Sequence, residues 1–270
     1  MTLLVVNADD YGLTEATSRA ILECHTDGVL TSTTVLVPAP GFTSTVGWLR
    51  DHPDLGVGVH LCLVGEDPPV LSAAEIPSLV DGRGRFPISW RQFARSAALG
   101  RIDSADVERE LTAQIDAVLA EHVTLTHLDS HQHLHEWPTL WPVVRRLLDH
   151  AGVRAVRSTR APGTSPMAVL GRLTALRAGR AGIRTTTRFA GFSDSGSLTE
   201  DALLRAIDAI PSGLASVEIG CHPGAEDDPD RSRYEWGFHW ADEAAGLRSP
   251  VVRRRIEHAG HQLVTFGALT

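Results

Sequence analysis

Short apolar runs alternate with helix-period segments along nearly the whole of this 270-residue chain, and that alternation restricts the fold more than any other feature. Residues 3–7 form a β-rich run closed by the turn chemistry of Asp9-Asp10-Tyr11-Gly12. A helical stripe of Leu13, Ala16, Ala20, Ile21 and Cys24 follows and stops at Gly28. Further strands are predicted at 31–37, 57–64, 125–130, 153–157, 217–221 and 263–266. Helices are predicted at 105–121, 138–150, 198–210 and 251–258. Residues 161–190 leave both readings open, with Leu170, Leu173 and Leu176 hinting at a helix. Strand followed by helix, repeated, implies a parallel sheet with right-handed crossovers. About seven such strands in a chain of this size predict one α/β domain over 1–270, an incomplete or distorted (β/α) barrel. A doubly wound open sheet is the alternative, weakened because no GxGxxG follows the first strand.

One stretch breaks the rhythm. Residues 65–104 carry Pro68, Pro69, Pro77, Gly82, Gly84 and Pro87 with few regular apolar repeats. A long Pro/Gly-rich insertion of this kind is expected to serve as a lid or a dimer contact.

Charge and residue usage exclude several functions. A formal net charge of −8 opposes a nucleic-acid footprint and does not favour anionic membranes. Every basic residue of the Lys/Arg class is Arg, so Schiff-base lysine chemistry and a P-loop lysine are both ruled out. Cys24, Cys62 and Cys221 are far apart and form no CxxC pair, which argues against a zinc knuckle and fits a reducing compartment. The first residues lack a cationic region, and no run of about 18 apolar residues exists. A cytoplasmic protein with no membrane insertion is expected.

The polar chemistry concentrates where strands end. His60 lies in GVHL, His222 opens HPG, and HLDSHQHLH (127–135) packs four of the chain's 13 histidines into nine positions. In parallel α/β folds the C-terminal strand ends gather round one mouth, so these segments are expected to converge. Alone, His60 is most simply a core histidine, and Asp9 and Asp10 are most simply turn or capping residues. Together the groups point to a metal site, because neutral imidazole and carboxylate are the usual ligands of zinc and its neighbours. One carboxylate of the Asp9-Asp10 pair can face a metal while the other takes a proton from water. Spacing leaves open which histidines ligate; only one or two of the four can reach one ion from a strand end, and the rest serve around it or line the mouth.

NADDYG at 7–12, TSTTVLV at 31–37, GVHLCL at 58–63, THLDSHQHLH at 126–135 and CHPG at 221–224 together resemble the YdjC-like carbohydrate deacetylases, which include chitooligosaccharide and hopanoid-associated deacetylases. The likeness runs in order over nearly the whole chain. It implies a barrel hydrolase that removes acetyl groups from N-acetylated sugars with one divalent metal, zinc or magnesium first, with manganese, cobalt or nickel also suited. It carries the metal ligands onto Asp10, His60 and His131, the general base onto Asp9 and the general acid onto His222. His133 and His135 are expected to meet the substrate, Arg157 is expected either to meet it or to form a structural ion pair, and Trp90, Trp137, Trp236 and Trp240 either stack on sugar rings or pack in the core or a dimer contact. A homodimer is also expected. The rival readings are another metal hydrolase such as a phosphoesterase, disfavoured by the scarcity of Arg in the site segments, and a non-catalytic metal- or sugar-binding protein, which gives the second Asp no task.

Overall fold

The architecture was read from a computed structural model that describes residues 1–269. Strands β1 (Thr2–Tyr11), β2 (Ser32–Val35), β3 (Gly56–Leu61), β4 (Leu125–Ser130), β5 (Arg188–Ala190), β6 (Ser216–Cys221) and β7 (His261–Leu263) form one parallel sheet in the order β4-β3-β2-β1-β6-β5. Strand β7 pairs with the first residues of β1, on the edge that β2 takes up farther along. The remaining gap, between β4 and β5, holds no further paired strand among the described residues and is crossed by the isolated bridges Leu128–Val156 and Ala155–Arg184. The sheet is therefore a barrel that curls round without closing, as expected for the distorted form.

The helices are α1 (Glu15–Thr26), α2 (Phe42–Thr45), α3 (Trp90–Ala98), α4 (Ser104–Ala120), α5 (Trp141–His150), α6 (Pro166–Arg180), α7 (Glu200–Asp208), α8 (Trp240–Leu247) and α9 (Pro250–His258). Local chemistry sets their starts. Thr14, Asp103, Ser165, Thr199 and Ser249 each accept a backbone N–H with the side chain at an N-cap, and Pro166 and Pro250 occupy first-turn positions that have no N–H to satisfy. No helix among the described residues is long and apolar enough to cross a membrane.

Strand β1 shows how the two faces divide. Leu4, Val6 and Ala8 join the main core shared with the helices, whereas Val5 packs with Ala155, Phe266 and Leu269 in a separate apolar plug. Farther along the plug's face of β1, Asn7 and Asp9 are also buried, among Arg157 and Thr34. The barrel interior is thus apolar at one end and charged at the other, where the strands finish.

Several boundaries differ from the sequence reading. The strand predicted at 153–157 survives only as isolated bridges, and the last strand ends at Leu263, before a 3-10 turn at Phe266–Ala268. The ambiguous 161–190 stretch divides into α6 and the short β5. The insertion is tied down rather than loose. Ile76, Leu79, Phe86 and Phe93 enter the main core, and the backbone N–H groups of Val70 and Leu71 donate to the buried Glu110 carboxylate of α4, both at 3.0 Å. Helix α3 in this insertion was not foreseen. Its Trp90 N–H donates to Gln132 Oε1 at 2.7 Å, which anchors the insertion beside the histidine-rich segment.

Candidate functional site

The adjacent aspartates part company because the backbone bends between them. The β1–β2 register shifts between Ala8 and Tyr11, and Asp10 adopts φ +64°, a left-handed conformation unusual for a residue other than glycine. Asp9 consequently faces the charged barrel interior, and Asp10 faces His60 and His131. His60 comes from β3, and His131 follows the end of β4. Their closest ring atoms, His60 Nε2 and His131 Nδ1, lie 3.5 and 3.3 Å from Asp10 Oδ1.

This trio fits a metal ion. Asp10 Oδ1 is buried without a hydrogen-bond partner among the described residues, which is costly unless something else satisfies it. Two ligands held about 2.0–2.1 Å from one ion at a tetrahedral angle lie roughly 3.3–3.4 Å apart. The observed separations match that edge. One carboxylate with two imidazoles is also a common donor set for catalytic zinc and similar ions. Asp9, His60 and Asp129 converge as well, but there the positive charge is already supplied.

Arg157 supplies it. The guanidinium has no exposed surface, and it meets three carboxylates. Its Nη2 and Nη1 donate to Asp9 Oδ1 at 2.6 Å and Oδ2 at 2.7 Å; Nη1 also meets Asp129 Oδ2 at 2.6 Å, and Nε donates to Glu218 Oε1 at 2.6 Å. Burial works against ionising Asp9, yet Arg157 and His60 hold its carboxyl well below the usual range. Burial dominates at Glu218, whose carboxyl is pushed up to about 8 in spite of Arg157. Burial also opposes a charge on His60, but Asp129, Asp9 and Asp10 raise it to about 9.

The other expected site residues divide into two groups. His222 Nε2 sits 3.9 Å from Asp9 Oδ2, and His222 lines the same cleft as the trio. His133 lines it too. Its Nδ1 is buried without a partner among the described residues, and the consecutive left-handed residues Gln132 (φ 51°) and His133 (φ 56°) hold it there. Arg157 and His135, expected at the substrate, are not among the described residues that line the cleft, and Arg157 takes the ion-pair alternative. Arg157 is consumed by its carboxylates. His135 is buried, with Nδ1 2.7 Å from Ser130 Oγ and Nε2 donating to the Arg157 carbonyl at 3.1 Å. Burial lowers the His135 pKa to about 4, so it is a neutral structural link. His127 stacks on Phe266 at 3.9 Å and is likewise structural.

The tryptophans also separate. Trp236 lines the cleft and lies 5.3 Å from the His131 ring, and its Nε1 donates to Glu66 at 3.0 Å. Trp240 is buried behind it at 5.5 Å, Trp137 packs on the core, and Trp90 is exposed on the insertion. Phe238 completes the aromatic wall of a cleft of about 530 Å³, open mouth included.

Sequence reasoning missed Glu218, Thr34 and Phe238. A glutamate inside the apolar run 217–221 was a legible signal for Glu218, because a charge in a buried strand needs a partner. Thr34 gave no signal among its threonine neighbours.

Comparison with known proteins places these residues in a family. The chain is 33% identical to a carbohydrate deacetylase of Geobacillus stearothermophilus over 97% of this chain and 96% of that one. It is 32% identical to one from Brevibacillus brevis over 98% and 99%. A crystal structure from Enterococcus faecalis, described as a candidate cellobiose-phosphate cleavage protein, superposes with a TM-score of 0.83 at 27% identity, covering 98% of this chain and 97% of that one. The family model for YdjC-like proteins matches residues 3–258, and the chain accordingly belongs to the YdjC-like family.

Proposed function

We propose that the protein removes the acetyl group from an N-acetylated sugar by metal-dependent amide hydrolysis, giving acetate and an amino sugar. The observation that carries this reading is the division of labour between Asp10 and Asp9. The first joins two imidazoles with an unsatisfied oxygen; the second lies beside them, facing His222. The curated relatives' activity agrees with it.

Asp10, His60 and His131 would hold one divalent cation, zinc or magnesium by preference, with manganese, cobalt or nickel also suited. Such an ion supplies Lewis acidity to the acyl oxygen and to water. Asp9 accepts the water's proton at Oδ2. Although burial works against it, Arg157 holds the Asp9 carboxyl well below the usual range, at the expense of some basicity. His222 delivers a proton to the departing nitrogen. Trp236 and Phe238 give the sugar ring an apolar wall, and His133 offers its free ring nitrogens to the substrate's polar groups.

Phosphate chemistry fits less well. No Arg lines the cleft among the described residues, and the one beneath it is saturated by carboxylates.

The test is acetate release from a panel of N-acetylated mono- and oligosaccharides, before chelation, after chelation and after each metal is restored. Release that stops on chelation and returns with metal is expected. His131→Ala should lose both metal and release. Undiminished release from the stripped protein would overturn the metal-dependent reading.

A further inference from the structure

We infer that Asp129 is a positioning residue that selects the tautomer of His60, so that Nε2 rather than Nδ1 is free to bind the metal. The inference rests on the metal reading above and adds a residue that touches neither ion nor substrate.

The geometry is specific. His60 Nδ1 lies 2.8 Å from Asp129 Oδ1, and His60 Nε2 points the other way, to Asp10. A carboxylate can only accept, so the ring nitrogen facing it carries the proton. Once a metal displaces the ring's second proton, the lone pair is left on Nε2, on the side of Asp10 and His131. The other oxygen of Asp129 is also surrounded by donors: Arg157 Nη1 at 2.6 Å and Thr34 Oγ1 at 3.2 Å. Asp129 is fully buried and His60 nearly so, which shields the Nδ1–Asp129 contact from bulk water. A histidine ligand whose second nitrogen donates to a carboxylate is held in one ring orientation and made a better donor to the metal.

This arrangement predicts an unusual effect for Asp129→Asn. The amide has one oxygen and one NH₂ to place against the same neighbours. An Arg guanidinium never accepts a hydrogen bond, whereas Thr34 and His60 Nδ1 can. The amide oxygen must therefore take the Arg157 side, which leaves the NH₂ against His60 Nδ1. His60 responds by moving its proton to Nε2, where it occupies the ligand position. A substitution that leaves all three ligands in place thus weakens metal binding.

The experiment is zinc titration by calorimetry of chelator-stripped protein, for the parent, Asp129→Asn and His131→Ala. Circular dichroism and thermal unfolding in chelator confirm that each is folded. Asp129→Asn is expected to lose about 10- to 100-fold in zinc affinity. Long-range proton–nitrogen NMR of the zinc-loaded parent supplies an arm that needs no variant, and should show the His60 proton on Nδ1. A folded Asp129→Asn that binds zinc like the parent, or a His60 proton on Nε2 in the loaded parent, would sink the inference. The two readings fail differently: a parent that binds none of zinc, magnesium, manganese, cobalt and nickel, or a His131→Ala that binds zinc normally, defeats the metal site itself.

Discussion

Arg157 and Asp9 form a two-pronged ion pair in the barrel interior, with both terminal nitrogens of the guanidinium against both carboxylate oxygens at 2.6 and 2.7 Å. The same fork also meets Asp129 and Glu218. A lysine ammonium is a point charge and cannot meet three carboxylates arranged round a plane. Breaking buried pairs leaves uncompensated charge. Arg157→Lys is therefore expected to destabilise the protein by on the order of 3 kcal/mol and to reduce turnover. Urea unfolding and initial rates of acetate release measure the two effects, and parental stability in the variant would show that the carboxylates do not depend on the fork.

Asp9 and Asp10 are neighbours in sequence but should fail in different ways. Asp9→Asn removes the proton acceptor and leaves the trio of Asp10, His60 and His131 intact. Turnover should fall about 100- to 10,000-fold, the usual range for a lost general base, while metal content per chain stays at the parental level. Elemental analysis alongside the rate assay separates this outcome from the loss of both expected for Asp10→Ala.

Much of this site was readable because its residues sit at strand ends, where short apolar runs stop and polar letters begin. Asp9, Asp10, His60, His131 and His222 come from four such ends, and the fold brings them to one mouth. Reading failed where identity depends on depth. An arginine and a histidine in the same polar neighbourhood look alike as letters, yet Arg157 and His135 are enclosed while His133 faces the cleft. For the two histidines that difference comes from the left-handed turn at Gln132 and His133, which no periodicity announces. Helix α3 was missed for a related reason. Only Phe93 of its nine residues is buried, so its apolar stripe is too thin to stand out among the prolines and glycines around it.

Trp236 is the side chain most exposed to a test of substrate contact. It lines the cleft beside His131, and Glu66 and the rings of Tyr234, Phe238 and Trp240 fix its orientation. An apolar wall binds ground state and transition state about equally, and losing such binding raises KM with little change in kcat. Trp236→Ala should raise KM by about 10-fold, equivalent to roughly 1.4 kcal/mol. A fall in kcat at constant KM would instead mean that the ring positions His131 rather than the sugar.

Glu136 gives a pH signature that is independent of the chemistry. Its carboxylate is buried and accepts from the Thr159 backbone N–H at 2.7 Å and from the Thr159 hydroxyl. Burial outweighs these bonds and raises its pKa from 4.5 to about 7. The folded state therefore holds this proton more tightly than the unfolded chain. Below about pH 4.5 both states are protonated and Glu136 contributes no pH dependence. Between 4.5 and 7 the unfolded chain ionises first, so stability falls as pH rises, by on the order of 3 kcal/mol in all. Above 7 the loss is complete and constant. Glu136→Gln carries no titrating group, so its stability relative to the parent should increase across that window and level off beyond it. Urea unfolding of both proteins at pH 5, 6, 7 and 8 measures the difference, in which the titrations of His127 and His135 cancel because both proteins share them. A difference that stays flat from pH 5 to 8 would mean that Glu136 is already ionised in the folded protein and that the Thr159 bonds outweigh its burial.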